Sequence, residues 1–93
     1  MEKYKDKRIF ITGGAGFIGC NLTKYFLDRG AFVIVFDNLS RKGTETNLRW
    51  LQIQKSQKFK FSKGDIRDFT SLTQIFKETE PEVVLHCCAQ TAV

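Results

Sequence analysis

Histidine, paired cysteine and long apolar runs are what this 93-residue chain has least of, and each shortage removes a class of function. The longest uninterrupted apolar run, Ala31 to Phe36, covers six residues. A bilayer-crossing helix needs roughly 20, so no membrane segment is expected. Met1 to Arg8 is largely charged and has neither the apolar core nor the small-residue cleavage site of a secretory signal. A cytoplasmic location follows as an expectation. Cys20, Cys87 and Cys88 make neither an even set nor a CxxC pair, so reduced, packed thiols are expected. Cys87 and Cys88 are adjacent on a predicted strand, where successive side chains point to opposite faces, which disfavours a shared metal. His86, the single histidine, reads as a packed strand residue, and no metal site is expected.

Charge is plentiful but disordered in its placement. Lysine and arginine total 15 against 10 acidic residues, a net charge of +5. The cations are scattered among acids and do not share one helical face with stacking aromatics, so a solvated surface is expected rather than a nucleic-acid interface. No linker or internal repeat divides the chain, and its length allows one domain at most.

Glycine, in contrast, is concentrated where it matters. The stretch Arg8-Ile9-Phe10-Ile11-Thr12-Gly13-Gly14-Ala15-Gly16-Phe17-Ile18-Gly19 is an apolar strand running into three glycines spaced three apart and then into a helical pattern. Gly13 permits a tight turn through angles costly for residues with a Cβ, and Gly16 lets the backbone approach a phosphate closely. Gly19 lets the first helical turn sit close to the strand. A helix opening near Ala15 would then aim its unpaired N–H groups and positive dipole end at a pyrophosphate. This is the signature of a dinucleotide site, strengthened by the acid Asp37 after a second apolar run.

The chain alternates strand and helix. Strands are predicted near residues 7–12, 31–36, 58–62 and 82–87. Helices are predicted over about 16–29, from about Thr44, and between Asp68 and Pro81. Ile18, Leu22, Tyr25 and Phe26 give the first helix its apolar stripe, and Gly30 ends it. Leu48, Leu51 and, more weakly, Trp50 mark the second. The continuous apolar run 31–36 suits a parallel strand covered on both faces, whereas alternating lysine and phenylalanine in 58–62 suits a sheet edge. Asp68 is placed to cap the third helix, whose Leu72, Ile75 and Phe76 form a stripe, and Pro81 stops it. The expected fold is α/β, the N-terminal half of a Rossmann-type doubly wound parallel sheet with strand order 3-2-1-4.

Sites in such sheets lie at the carboxyl ends of the strands. Asp37, after the second strand, can accept hydrogen bonds from ribose hydroxyls while its charge repels a 2′-phosphate, which favours NAD over NADP. Arg41, beside Ser40, is the residue that argues the other way, because a guanidinium there can hold that phosphate.

Four stretches together, Gly13 to Gly19, Phe36 to Ser40, Gly64 to Asp68 and Val83 to Gln90, resemble the extended short-chain dehydrogenase/reductases. Within them the chain is similar to the NAD-dependent nucleotide-sugar epimerases and dehydratases. The resemblance implies that Gly13, Gly16, Phe17 and Ile18 serve the pyrophosphate, and Asp37, Asn38, Ser40 and Arg41 the adenosine ribose. It implies that Asp65 and Ile66 meet adenine, and that Cys87, Cys88, Ala89 and Gln90 line the inner end of the cofactor. Cys88 stands where the family commonly has alanine.

The family's proton chemistry uses a Tyr-x-x-x-Lys pair with a nearby serine or threonine, and these 93 residues contain no such pair. The chain therefore reads as a partial NAD(P)-binding domain without the catalytic and sugar-binding portions, inert alone, with a nucleotide-sugar substrate only in a longer chain. A stand-alone module that senses NAD or acts with a partner chain is the other functional reading. Homo-oligomerisation stays open.

Overall fold

The computed structural model describes residues 3–54 and 56–87. Seven elements alternate in the order β1 (Arg8–Thr12), α1 (Phe17–Asp28), β2 (Phe32–Asp37), α2 (Thr44–Ile53), β3 (Phe59–Lys63), α3 (Phe69–Thr79) and β4 (Val83–His86). The four strands form one parallel sheet in the order β3-β2-β1-β4. This is the expected Rossmann-type topology, with β3 and β4 at the two edges.

Register explains the two cores. Ile9 pairs with Val33 and Ile11 with Val35, and the period-2 pleat puts these side chains on one face. There they pack with Ala31 and with Leu22, Phe26 and Leu27 of α1. Phe10 and Ile34, one residue out of phase, face the other way and join Phe36 and Ile75 of α3 in a second cluster. Burying β1 and β2 on both faces accounts for their nearly continuous apolar sequence. β3 keeps Lys60 exposed while Phe59 and Phe61 lean on the first cluster.

The first helix is rotated from the expected phase. Leu22 and Phe26 face the core, but Ile18 is 67% exposed and Tyr25 is also exposed. The inward face is set by buried Gly19, Cys20 and Thr23. Gly19 must abut the preceding turn, and successive helical residues are 100° apart, so Ile18 is turned toward solvent. In α2, Leu48 and Leu51 are buried and Trp50 is not.

Helix ends follow local chemistry. Gly30 takes φ 84° just after α1, the left-handed conformation that ends a helix without a Cβ clash. Asp68 caps α3 by accepting from the Ser71 N–H at 3.2 Å, and Ser71 Oγ donates to its other oxygen at 2.8 Å. Replacing Asp68 with alanine is expected to cost about 1 kcal/mol, read as a lower urea midpoint with an unchanged slope.

Candidate dinucleotide cleft

The cleft is built at the carboxyl ends of β1, β2 and β3, and the glycines between β1 and α1 form its floor. Gly13 has φ 69°, where a Cβ is costly. A Cβ on Gly16 would lie 3.3 Å from the Gly13 carbonyl oxygen, a contact the chain could absorb. On Gly19 it would overlap that oxygen outright and sit 2.6 Å from Gly14 Cα, both backbone atoms. Gly19 is therefore fitted against the turn itself rather than the strand. Gly14, which the motif did not single out, would meet the Val35 side chain at 2.7 Å.

Asp37 closes the second side. It is the last residue of β2 and is buried. One carboxylate oxygen accepts the Ala15 N–H at 3.0 Å, and the other accepts the Leu39 N–H at 2.7 Å. The acid thus ties the glycine turn to the end of β2. The Ala15 N–H is consequently spent, and α1 opens at Phe17, one residue past the predicted start near 16. The N–H groups of Phe17, Ile18 and Gly19 in its first turn lack an acceptor within the helix. Asn47 of α2 supports the same turn by donating to the Ala15 carbonyl at 2.8 Å.

The third side is Gly64-Asp65-Ile66-Arg67, after β3. A Cβ on Gly64 would meet the Phe36 ring at 2.5 Å, so glycine lets this loop lie flat on β2. Asp65 accepts from the Arg67 backbone N–H at 2.8 Å and from its guanidinium at 2.7 and 3.0 Å. The Arg67 guanidinium first, and then its backbone N–H, hold the Asp65 carboxyl at about 2, against an ordinary 3.8. Because that value lies below the unfolded one, the contact is fully present above the ordinary carboxylate range. It is lost as pH falls from about 4 through about 2. A carbon NMR titration should place the Asp65 midpoint near 2, and Arg67→Ala should move it back toward the ordinary value.

Together these walls enclose about 420 Å³. Gly13, Gly16, Asp37, Asn38, Ser40, Arg41, Asp65, Ile66 and Cys87 all line the cleft. Phe17 and Ile18 do not: they are 80% and 67% exposed. Cys88, Ala89 and Gln90 lie outside the described residues.

Five lining residues were given no cofactor role by the sequence reading: Phe36, Gly64, Arg67 and His86, which lie within the stretches that carry the resemblance, and Thr44. His86 corrects an expectation, because it is exposed rather than packed. It ends β4, an edge strand among the described residues, and its Nδ1 is 2.7 Å from the buried Thr12 hydroxyl across the β1–β4 pairing. Cys20 is buried as expected, and Cys87 is half-buried just beyond β4. Among the described residues no helix is long and apolar enough to cross a membrane.

A parallel 3-2-1-4 sheet, a glycine turn at β1 and an acid ending β2 define a Rossmann-type nucleotide-binding unit. The chain belongs to the GDP-mannose 4,6-dehydratase family, whose model matches residues 10–93. It is 42% identical over 86 residues to the CDP-paratose 2-epimerase of Salmonella typhi, aligning 92% of this chain with 25% of that protein. The identity is also 42% over 86 residues with the UDP-glucose 4-epimerase of Mycolicibacterium smegmatis, aligning 92% of this chain with 26% of that one. Among solved structures, the dTDP-glucose 4,6-dehydratase of Bacillus anthracis in complex with NAD superposes with a TM-score of 0.80 at 34% identity. That match covers 90% of this chain and 27% of the dehydratase. The chain spans about a quarter of the length of the relatives it matches.

Proposed function

We propose that this chain binds NAD in the cleft and forms the cofactor-binding part of a nucleotide-sugar epimerase or dehydratase. The observation that carries this reading is the Asp37–Ala15 hydrogen bond, which draws the glycine turn and the acidic strand end into one cleft. Adjacent strands are about 4.8 Å apart, so the cleft runs about 10 Å from the β1 turn to the β3 loop. That is the reach of an adenosine diphosphate moiety. The donors and acceptors along it suit such a group in order: backbone N–H groups, then a buried carboxylate, then an acceptor for an amino group.

In this reading the backbone at Gly13, Gly16, Phe17 and Ile18 receives the diphosphate, with the open space at Gly16 keeping side-chain atoms away from it. Asp37 accepts from the ribose hydroxyls, with Asn38, Ser40 and Arg41 at the rim, and repels a 2′-phosphate. Asp65 accepts from the adenine amino group beside Ile66. Cys87 stands toward the nicotinamide end of the cleft, and the family resemblance assigns Cys88, Ala89 and Gln90 to that end. When bound, NAD supplies a reversible hydride acceptor for oxidation of a sugar carbon. The chain's own residues hold and orient that acceptor, while the proton transfers need the tyrosine–lysine pair that these residues lack.

The finer reading is a CDP-sugar epimerase of the CDP-paratose 2-epimerase type, supported by Asp37 to Gly43 followed by Asn47 to Leu51. The UDP-glucose 4-epimerase matches at the same identity over the same length, so percentage identity does not separate the two sugars. The cleft residues face the cofactor, which both enzyme types need. Calorimetric titration of the chain should show saturable heat with NAD and weaker heat with NADP. No heat and no thermal shift at millimolar NAD would overturn the proposal.

A further inference from the structure

Asp65 is already engaged by Arg67. Its two oxygens accept the Arg67 backbone N–H at 2.8 Å and the guanidinium Nε and terminal nitrogen at 3.0 and 2.7 Å, with the Asn38 side chain close by. In the proposed function this same carboxylate receives the amino group of adenine, so that group competes with a resident donor.

Which donor leaves is decided by what each loses. The Arg67 N–H belongs to a backbone turn on Asp65 and cannot withdraw without moving the loop. Asn38 is anchored from the other side, because its Oδ1 accepts the Ser40 N–H at 3.0 Å. The guanidinium sits at the end of a long stem whose side chain is 85% exposed, and water can solvate it as soon as it lets go. Exposed ion pairs of this kind contribute little, since water and side-chain entropy offset most of the attraction.

We propose that Arg67 is a latch on the base-binding end of the cleft, its guanidinium held by Asp65 until the amino group of an adenine base exchanges with it. This rests on the proposed function and adds a specificity device to it. A base carrying an amino group at this position gains the carboxylate by displacing the guanidinium. A base carrying a carbonyl there cannot donate to Asp65, and instead accepts a hydrogen bond from the guanidinium left in place. The Asp65–Arg67 pair thus presents an acceptor and a donor side by side, and removing Arg67 leaves only the acceptor.

The two kinds of base separate this device from simple charge attraction. NAD and its hypoxanthine analogue carry the same phosphates and differ in the amino or carbonyl group of the base. Arg67→Ala is expected to bind NAD about two- to fivefold more tightly and the hypoxanthine analogue more weakly than the parent does. Arg67→Lys keeps the charge but loses the two-pronged grip, and it should also strengthen NAD. Loss of a general attraction for phosphate would weaken both ligands in the alanine variant alike. Equal shifts for the two dinucleotides, or no shift for either, would overturn the latch while leaving NAD binding intact. Failure of the parent chain to bind NAD at all would instead remove the proposed function beneath it. As a second reading, the Arg67 Nε–H resonance should lose its hydrogen-bonded shift when NAD is added and keep it with the hypoxanthine analogue.

Discussion

Gly19→Ala should lower the thermal unfolding midpoint by roughly 12–24 °C, since overpacking of about 3 kcal/mol translates to about 4–8 °C per kcal/mol in a domain of this size. The methyl group would occupy the space of the Gly13 carbonyl oxygen and press on Gly14 Cα. Neither atom can step aside as a flexible side chain would, because Gly13 donates to the Phe36 carbonyl at 2.8 Å and Gly14 lies against Val35. Relief requires α1 to move off the turn, taking Leu22, Phe26 and Leu27 away from the sheet. NAD binding should disappear with it. Gly16→Val is the informative contrast. Gly16 has extended angles, φ −73° and ψ 175°, which valine adopts readily, and its Cβ would meet only one atom, at 3.3 Å. This variant should keep most of its stability and lose NAD, because the branched side chain fills the space proposed for phosphate. Circular dichroism melting and calorimetric titration of both variants check the pair of outcomes. A Gly19→Ala protein that melts like the parent would refute the packing account.

Asp37→Ala is expected to lose about 2–3 kcal/mol of stability, because it strips the acceptor from the Ala15 N–H in the interior and from the Leu39 N–H beside it. NAD should bind roughly 10- to 100-fold more weakly, as expected when charge-assisted hydrogen bonds of about 1.5–3 kcal/mol are removed. The preference for NAD over NADP should narrow, since no carboxylate then opposes the 2′-phosphate and Arg41 stands at the rim. Asp37→Asn separates the two roles. The amide keeps one acceptor oxygen for a backbone N–H while giving up the charge, so stability should recover partly and the cofactor preference should stay narrowed. Urea unfolding gives the first quantity and paired NAD and NADP titrations the second. An unchanged ratio of the two affinities in both variants would displace Asp37 from the ribose.

The fold was open to reading because its signals are local. Runs such as 31–36 mark strands buried on both faces, a glycine past α1 and an aspartate before α3 mark helix ends, and alternation in 58–62 marks an edge. Residue type and spacing singled out Gly13, Gly16 and Asp37, the family resemblance added Asp65, and all four line the cleft. What periodicity could not carry is contact across the chain. The Asp37–Ala15 bond joins residues 22 positions apart, and Asn47 reaches Ala15 across 32. Neither can be seen before β1 and β2 lie side by side. Ile18 misled because helical spacing fixes a stripe but not which way it turns, and here the Gly19 contact decides. His86 misled because a strand residue reads as packed, whereas β4 has a neighbouring strand on one side only among the described residues. Arg67 lies within the Gly64 to Asp68 stretch but was given no role there, because its hold on Asp65 shows only in the folded loop.

β4 leaves one margin of the sheet lined by Val83 and Val84, 40% and 48% exposed, with no strand beyond it among the described residues. Such a margin is a seam, with backbone groups set to extend a ladder and aliphatic side chains that gain by being sheltered. A further strand laid beside β4 would satisfy those backbone groups and cover the two valines together.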